Sequence, residues 1–354
     1  MPVRGQDPTE NRRWREGRSA TNKDDVDATR ALREIAFWLE REGAPTYRVR
    51  AFRRAAAIVD DLADLDERVA SGRLTALEGI GRTTAAVIEA AHRGETPEYL
   101  ARLRSEVDVP AQGQQLREAL RGDCHTHSDW SDGGSPIAEM ATSARALGHE
   151  WMVLTDHSPR LTVARGLSAE RLRQQLDVVA ELNEHLAPFR ILTGIEVDIL
   201  SDGALDQDED LLAELDIVVA SVHSELRMAA PAMTRRMCAA VANPHVDVLG
   251  HCTGRLIGDR KRPQSTFDAV AVFEACRDSV VAVEINSRPD RLDPPRELIR
   301  LARDTGCLFS IDSDAHAPGQ LDWLSYGCAR AEECGIPADL VINTRTAEEL
   351  LDRR

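Results

Sequence analysis

The sequence predicts an α/β barrel that follows a small all-helical domain, and three observations predict it. Residues 26–108 space their apolar side chains at helical intervals, as in "ATRALREIAFWLEREG", where Leu32, Ile35, Ala36 and Leu39 share a face and Gly43 closes the helix. From residue 120 short apolar runs alternate with longer helical stretches, the pattern of repeated βα units. Side chains of one chemical type then recur at the ends of those runs, where parallel barrels build their active sites.

With 354 residues the chain is long enough for two domains that each have a core. No stretch approaches a membrane span, and the N-terminus lacks an apolar secretory region, so a cytoplasmic location without membrane partners is expected. The seven cysteines are scattered, form no CxxC pair and fit reduced thiols. The net charge of −16 is uneven: residues 1–110 hold 19 Lys+Arg against 20 Asp+Glu, and the remainder hold 25 against 40. Such an acidic second half argues against broad electrostatic binding of nucleic acid there, although carboxylates that hold cations contribute to the count. Lys23 and Lys261 are the only lysines.

In chain order, residues 1–25 are polar without periodicity and read as a disordered tail. Within the helical stretch, "FRRAAAIVDDLADL" adds a ribbon of arginines, and "LEGIGRTTAAVIEAAHRG" sets Gly79 and Gly81 around Ile80 ahead of a small-residue helix. Residues 109–119, with proline and glycine, read as a linker. Seven strands are expected over residues 120–345: "RGDCHTH", "EWMVLTDH", "RILTGIEVD", "DIVVASVHS", "VDVLGHC", "VVAVEINS" and "CLFSIDSDAH". Residues 346–354 complete the chain as a tail.

Ligand-type residues collect at the ends of these strands. His125 and His127 end the first, His157 the second and Glu196 the third; His223 ends the fourth, His251 the fifth, and Asp314 with His316 the seventh. Alternate residues of a strand share a face, so His125 and His127 project together. Asp132, in "SDGG", reads alone as a turn former, and a single strand-end histidine as a structural one. Glu196 is more telling, because a carboxylate within an apolar strand is costly unless paired or metal-bound. Six of the ten histidines sit at these ends, whereas His92, His149, His185 and His245 do not. Histidine and carboxylate ligands without thiolate suit zinc, manganese or iron. Nine candidates exceed what one ion takes, so about two or three ions are implied. Such a cluster suits phosphoester hydrolysis, with amidohydrolase chemistry as the alternative.

The motifs "HTH", "DH" at 156–157, "GIEVDIL", "ASVHS", "GHCTGR", "EINSRPDRLD" and "DSDAH" resemble, in order, those of the PHP (polymerase and histidinol phosphatase) family. The resemblance is to the C-terminal PHP domain of bacterial family X DNA polymerases and covers residues 120–345. It implies a distorted seven-stranded barrel with a trinuclear metal site and a phosphoesterase activity. Carried over, it implies that His125, His127, Glu196 and Asp314 hold one ion and that Glu196 shares a second with His223 and His251. Asp132, His157 and His316 would hold the third. Manganese is the expected active ion, with zinc or iron as alternatives. Arg255 and Arg291 are candidates for substrate phosphate, because a planar guanidinium matches its oxygens. Cys252 departs from the family, which often has proline there, and a thiol beside the metals would make the site oxidation-sensitive.

The front domain resembles the helix-hairpin-helix domain of family X polymerases through "YRVRAFRRAA" and "LEGIGRTTAAVIEAA". That likeness implies non-sequence-specific contact with the DNA backbone by Arg48, Arg50, Arg53, Arg54 and the Gly79, Ile80, Gly81, Arg82 turn. The linker is far too short for a polymerase palm, so polymerase activity is not expected. No lysine occurs between 24 and 260, which excludes the imine chemistry of related lyase domains. The expectation is a DNA-repair phosphoesterase: a 3′-5′ exonuclease, 3′-phosphatase or abasic-site endonuclease in which metal-bound hydroxide attacks phosphorus. The alternative is a small-molecule phosphatase of the histidinol-phosphatase type. A non-catalytic scaffold is disfavoured by the complete ligand set.

Overall fold

The computed structural model describes residues 27–352, so the tail expected over residues 1–25 lies outside the described residues. Two compact units part between Val109 and Pro110. The first holds helices α1 (Ala28–Arg41), α2 (Thr46–Asp60), α3 (Leu65–Ala70), α4 (Arg82–His92) and α5 (Glu98–Glu106). Asp27 starts α1 by accepting a hydrogen bond from the Thr29 amide. The periodic residues Leu32, Ile35 and Leu39 of α1 pack against Phe52 of α2, Ile88 of α4 and Leu100 of α5. Buried Glu34 is paired bidentately by Arg104, at 2.6 and 2.8 Å, which ties α5 to α1.

The second unit begins within the expected linker. Residues Gln114–Ala119 form helix α6, and Leu116 and Leu120 enter the hydrophobic core, so this stretch packs rather than spans. There follow β1 (Gly122–Thr126), α7 (Ile137–Ala146), β2 (Trp151–Leu154), α8 (Ala169–Leu186), β3 (Arg190–Asp198), α9 (Glu209–Leu212) and β4 (Ile217–Ser221). The chain continues through α10 (Ala230–Val241), β5 (Val248–Leu249), α11 (Ala269–Asp278), β6 (Ala282–Asn286), α12 (Arg296–Thr305), β7 (Phe309–Asp312) and α13 (Leu324–Glu333). The seven strands are parallel and pair in sequence order from β1 to β7. A further parallel bridge between Thr126 and Ala315 brings the ends of β1 and β7 together, so the sheet is a nearly closed barrel. The β5 strand is shorter than its apolar run suggests, because the chain leaves the sheet after Leu249.

The expected C-terminal tail is corrected by the structure. Ala347–Leu351 form α14, started by a reciprocal capping box between Thr346 and Glu349. Ala347 and Leu350 are buried in one cluster with Cys124, Trp151, Val153, Leu192 and Val219. Their burial under the barrel floor supplies the free energy that a short polar-looking helix lacks by itself. Above that floor, strand alternation places polar residues further along the same faces: Leu192 is followed by Glu196, and Ala282 by Glu284 and Asn286. A buried network fixes the transition. Asp312 accepts from the Cys124 amide and Asn343, and Asp123 accepts from the His125 and Ser313 amides.

Candidate metal centre

The nine ligand-type residues converge at the C-terminal mouth of the barrel around Glu196. This carboxylate is 1% exposed and lies on β3. Its Oε2 is 3.2 Å from His125 Nε2, 3.6 Å from His127 Nε2 and 2.9 Å from His157 Nδ1. Its Oε1 is 3.2 Å from His223 Nε2 and 2.8 Å from His251 Nε2. Asp132 Oδ1 lies 3.4 Å from His157 Nε2 and 3.3 Å from His316 Nε2. Asp314 Oδ1 lies 3.5 Å from His127 Nε2. Asp314 has a φ of +53°, unusual for an L-residue and a strained placement held by its surroundings.

Three overlapping groups have donor atoms close enough to share an ion: His127 with Asp132, His157 and His316; His125 with His127 and Glu196; and His157 with Glu196 and His223. His127, His157 and Glu196 each belong to two of them, so the three groups overlap into one continuous cluster of donors able to hold metal ions, while His251 and Asp314 lie outside the groups. The fit to cations is visible in unpaired atoms. Both ring nitrogens of His127, His125 Nε2, His157 Nδ1, His251 Nδ1 and Glu196 Oε2 are buried and reach no hydrogen-bond geometry. Buried polar atoms of a purely structural core are paired. Nitrogen and oxygen donors in this arrangement fit zinc, manganese or iron.

Electrostatics point the same way. Burial alone raises the Glu196 carboxyl, and the imidazoles of His125, His223 and His157 more than reverse it, holding it well below the usual range. Burial and the neighbouring His316 and His157 push His127 down to about 3, so this imidazole is neutral, as a ligand must be. Burial and Arg291 lower His251 to about 4. At His223 burial is outweighed by Glu196 and Asp198, which raise it to about 9. A cation held by His223 would have to displace that proton, because a ligating imidazole is neutral at the ligand nitrogen.

Orienting residues surround the cluster. Glu284 Oε1 is 2.7 Å from His125 Nδ1, and Asp198 pairs with His223 Nδ1; each fixes a ring with Nε2 facing Glu196. Asn286 donates to Asp314 Oδ2 at 3.2 Å. Asp156 accepts from the Ser128 amide and from Gln175, holding the loop that carries Asp132. None of these was singled out from the sequence, although Glu284 in "VVAVEINS" carries the same signal as Glu196.

The two barrel arginines separate. Arg291 lies with Nε 3.4 Å from Asp314 Oδ2, and its buried Nε and Nη1 have no hydrogen-bond partner. Arg288, not expected, approaches Asp314 at 3.9 Å. Arg255 is a correction: its Nε donates to the carbonyl of Arg291 at 3.1 Å and its Nη2 to that of Leu292, so it holds the loop rather than facing the cluster. Arg330 does the same at Pro294, and Asp293 accepts from the Thr253 and Arg255 amides. Accordingly Arg255→Met is expected to lower kcat/KM by ~10–100-fold with ion content kept, and to add little in an Arg291→Met background. Steady-state kinetics on the double-mutant cycle check this; full additivity contradicts it. Cys252 is buried, and burial followed by Asp293 raises its thiol well above the ordinary range, which disfavours the reactive thiolate. All seven cysteines are free.

In the helical unit the expected DNA contacts divide as well. Arg53 pairs bidentately with buried Glu40 at 2.7 and 2.9 Å, a structural role that corrects the expectation. Arg48 donates to the Tyr99 hydroxyl and Arg54 to exposed Glu78, while Arg50 and Arg82 are exposed. Gly79 has φ +102°, and a Cβ there would meet Arg54 Nε at 2.6 Å. The Ile80 amide donates to Leu77 O and the Gly81 amide to Thr84 Oγ1, so neither is free for phosphate. Beside them a cavity of about 370 Å³ is bordered by Tyr47, Arg48, Arg82, Thr83 and Tyr99. Among the described residues no helix is long and apolar enough to cross a membrane.

Comparison with known proteins places domains on this geometry. The helix-hairpin-helix domain family matches residues 25–96, and the PHP domain family matches residues 123–288. A DNA polymerase/3′-5′ exonuclease PolX of Bacillus subtilis (strain 168) is 41% identical over 231 residues, 65% of this chain and 40% of that protein. The chain thus spans well under half the length of that relative. A probable phosphatase of Thermoanaerobacter sp. (strain X514) is 29% identical over 233 residues, 63% of this chain and 89% of the relative. A crystal structure of histidinol phosphate phosphatase from Lactococcus lactis subsp. lactis, complexed with zinc, L-histidinol and phosphate, is similar with a TM-score of 0.46 at 20% identity. It covers 61% of this chain and 94% of that one.

Proposed function

Since the chain carries a PHP domain of the metal-dependent phosphoesterase type together with a helix-hairpin-helix domain, we propose that it hydrolyses phosphoester bonds at DNA ends, gaps or abasic sites. The observation that carries this reading is the convergence of five imidazoles on Glu196 in a chain that also holds a helix-hairpin-helix domain. The resemblance to a DNA polymerase/3′-5′ exonuclease supports it.

About two or three divalent ions, manganese in the active form, would be held by His125, His127, Asp132, His157, Glu196, His223, His251, Asp314 and His316. Such ions supply Lewis-acid stabilisation to phosphoryl and leaving oxygens and acidify water. The chain's own residues do the rest. Glu284 and Asp198 fix the His125 and His223 rings with Nε2 toward Glu196. Arg291 has two donor atoms without a hydrogen-bond partner, and Arg288, whose Nε pairs with Asp290 at 2.8 Å, adds a second positive charge beside Asp314, a pair suited to orienting a phosphoryl group. Exonuclease, 3′-phosphatase and abasic-site cleavage all use this arrangement and differ only in what enters the mouth.

A second reading, a small-molecule phosphatase of the histidinol-phosphatase type, is favoured by the phosphatase-named relative that the chain matches over 89% of its length. Parallel rates on manganese-loaded full chain separate the two. One substrate is end-labelled duplex DNA with a 3′ recess, a 3′ phosphate or an abasic site; the other is histidinol phosphate. A His127→Ala, Glu196→Ala double variant supplies the background. DNA processing lost in that variant is the expected result, and turnover of histidinol phosphate alone overturns the DNA reading.

A further inference from the structure

The geometry points to the hairpin Leu256–Arg262 as the surface that carries the DNA backbone into the metal centre, an inference that rests on the DNA reading above. The hairpin follows β5, whose end bears His251, so it stands at the mouth of the barrel. Its two arms are joined by reciprocal backbone hydrogen bonds between Leu256 and Arg262, at 2.9 and 3.0 Å. The Ile257 amide donates to the Asp290 carbonyl at 2.7 Å, with the Gly258 amide at 3.3 Å. Gly258 approaches so closely that a Cβ there would lie 2.8 Å from Asp290 Cβ. Asp290 sits between Arg288 and Arg291, the residues that reach Asp314. The hairpin is therefore fastened to the loop that presents guanidinium groups to the cluster.

Its charge is opposite in sign to the net charge of the chain beyond residue 110. The sequence from 259 to 262 reads Asp-Arg-Lys-Arg, and it contains the only lysine after residue 23. Arg260 and Lys261 are exposed and have no ion-pair partner among the described residues, so they do not serve the fold. Arg262 Nε caps the Gly254 carbonyl at 2.6 Å and keeps its charge at the same edge. The chain beyond residue 110, the hairpin included, holds 25 Lys+Arg against 40 Asp+Glu and repels a polyanion. A strand whose terminal phosphoester is at Asp314 needs a path where the local sign is reversed, and the hairpin supplies one beside the Arg288–Arg291 loop. A single small phosphate ester has no flanking phosphates to place there.

The test compares full-length chain with an Arg260→Gln, Lys261→Gln variant and with a charge-keeping Arg260→Lys, Lys261→Arg variant. Binding and cleavage of a labelled duplex with a recessed 3′ end are followed across a salt series, with an aryl phosphate as the small substrate. The neutral variant is expected to flatten the slope of log Kd against log salt by about 2. Its ratio of DNA to aryl phosphate kcat/KM falls as well, while the charge-keeping variant retains both. A neutral variant with the parent slope and ratio overturns the hairpin assignment and leaves the DNA reading standing. A parent chain that cleaves histidinol phosphate but neither binds nor cleaves DNA overturns both.

Discussion

Glu196→Gln is expected to lower phosphoester hydrolysis by about three orders of magnitude, the several kcal/mol of transition-state charge stabilisation that metal ions supply. The reason is geometric. Both carboxylate oxygens face imidazoles, Oε2 those of His125, His127 and His157 and Oε1 those of His223 and His251. An amide keeps the volume but brings an NH2 group that cannot ligate, so one side of the cluster loses its anionic donor. Ion content measured on the purified variant falls together with rate. A variant that keeps its ions and its rate contradicts the bridging role.

Arg291→Met is expected to act on substrate rather than on the ions. It removes a buried guanidinium whose Nε and Nη1 make no hydrogen bond and whose Nε stands 3.4 Å from Asp314. Loss of charge-assisted contacts to a phosphoryl group costs about 3 kcal/mol, or roughly a hundredfold in kcat/KM. Arg291→Lys recovers only part of this, because an ammonium cannot make the paired contacts of a planar fork. Ion content stays at the parent value. If instead the Met variant loses ions in proportion to rate, Arg291 serves the ligand Asp314 and not the substrate.

Much of the candidate site was legible because barrel topology converts position along the chain into position in space. Each of the nine donors follows or ends a strand, and parallel strands in sequence order bring those ends to one mouth. Glu196 stood out because an unpaired carboxylate within an apolar run is costly. Glu284 carries the same signal in "VVAVEINS", but its partner, the His125 ring, is a long-range contact that the strand pattern does not reveal. Arg255 and Arg291 looked alike in sequence. What separates them is the row of carbonyls at Arg291 and Leu292 that Arg255 reaches, which depends on how two loops pack. Arg53 was similarly indistinguishable from its neighbours until Glu40 of the adjacent helix claimed it. The terminal helix had a readable signal, Thr346 three residues before Glu349, but its burial under the barrel floor did not follow from local pattern.

We propose that these side chains form a polynuclear metal centre that performs phosphoester hydrolysis. Its most direct test is equilibrium dialysis of chelator-treated full chain against increasing manganese, with ions per chain and phosphoester cleavage measured on the same samples. Saturation is expected at about two or three ions per chain, with activity absent after chelation and rising as the last ion binds. Saturation below two ions, or hydrolysis that persists in the stripped chain, would contradict it.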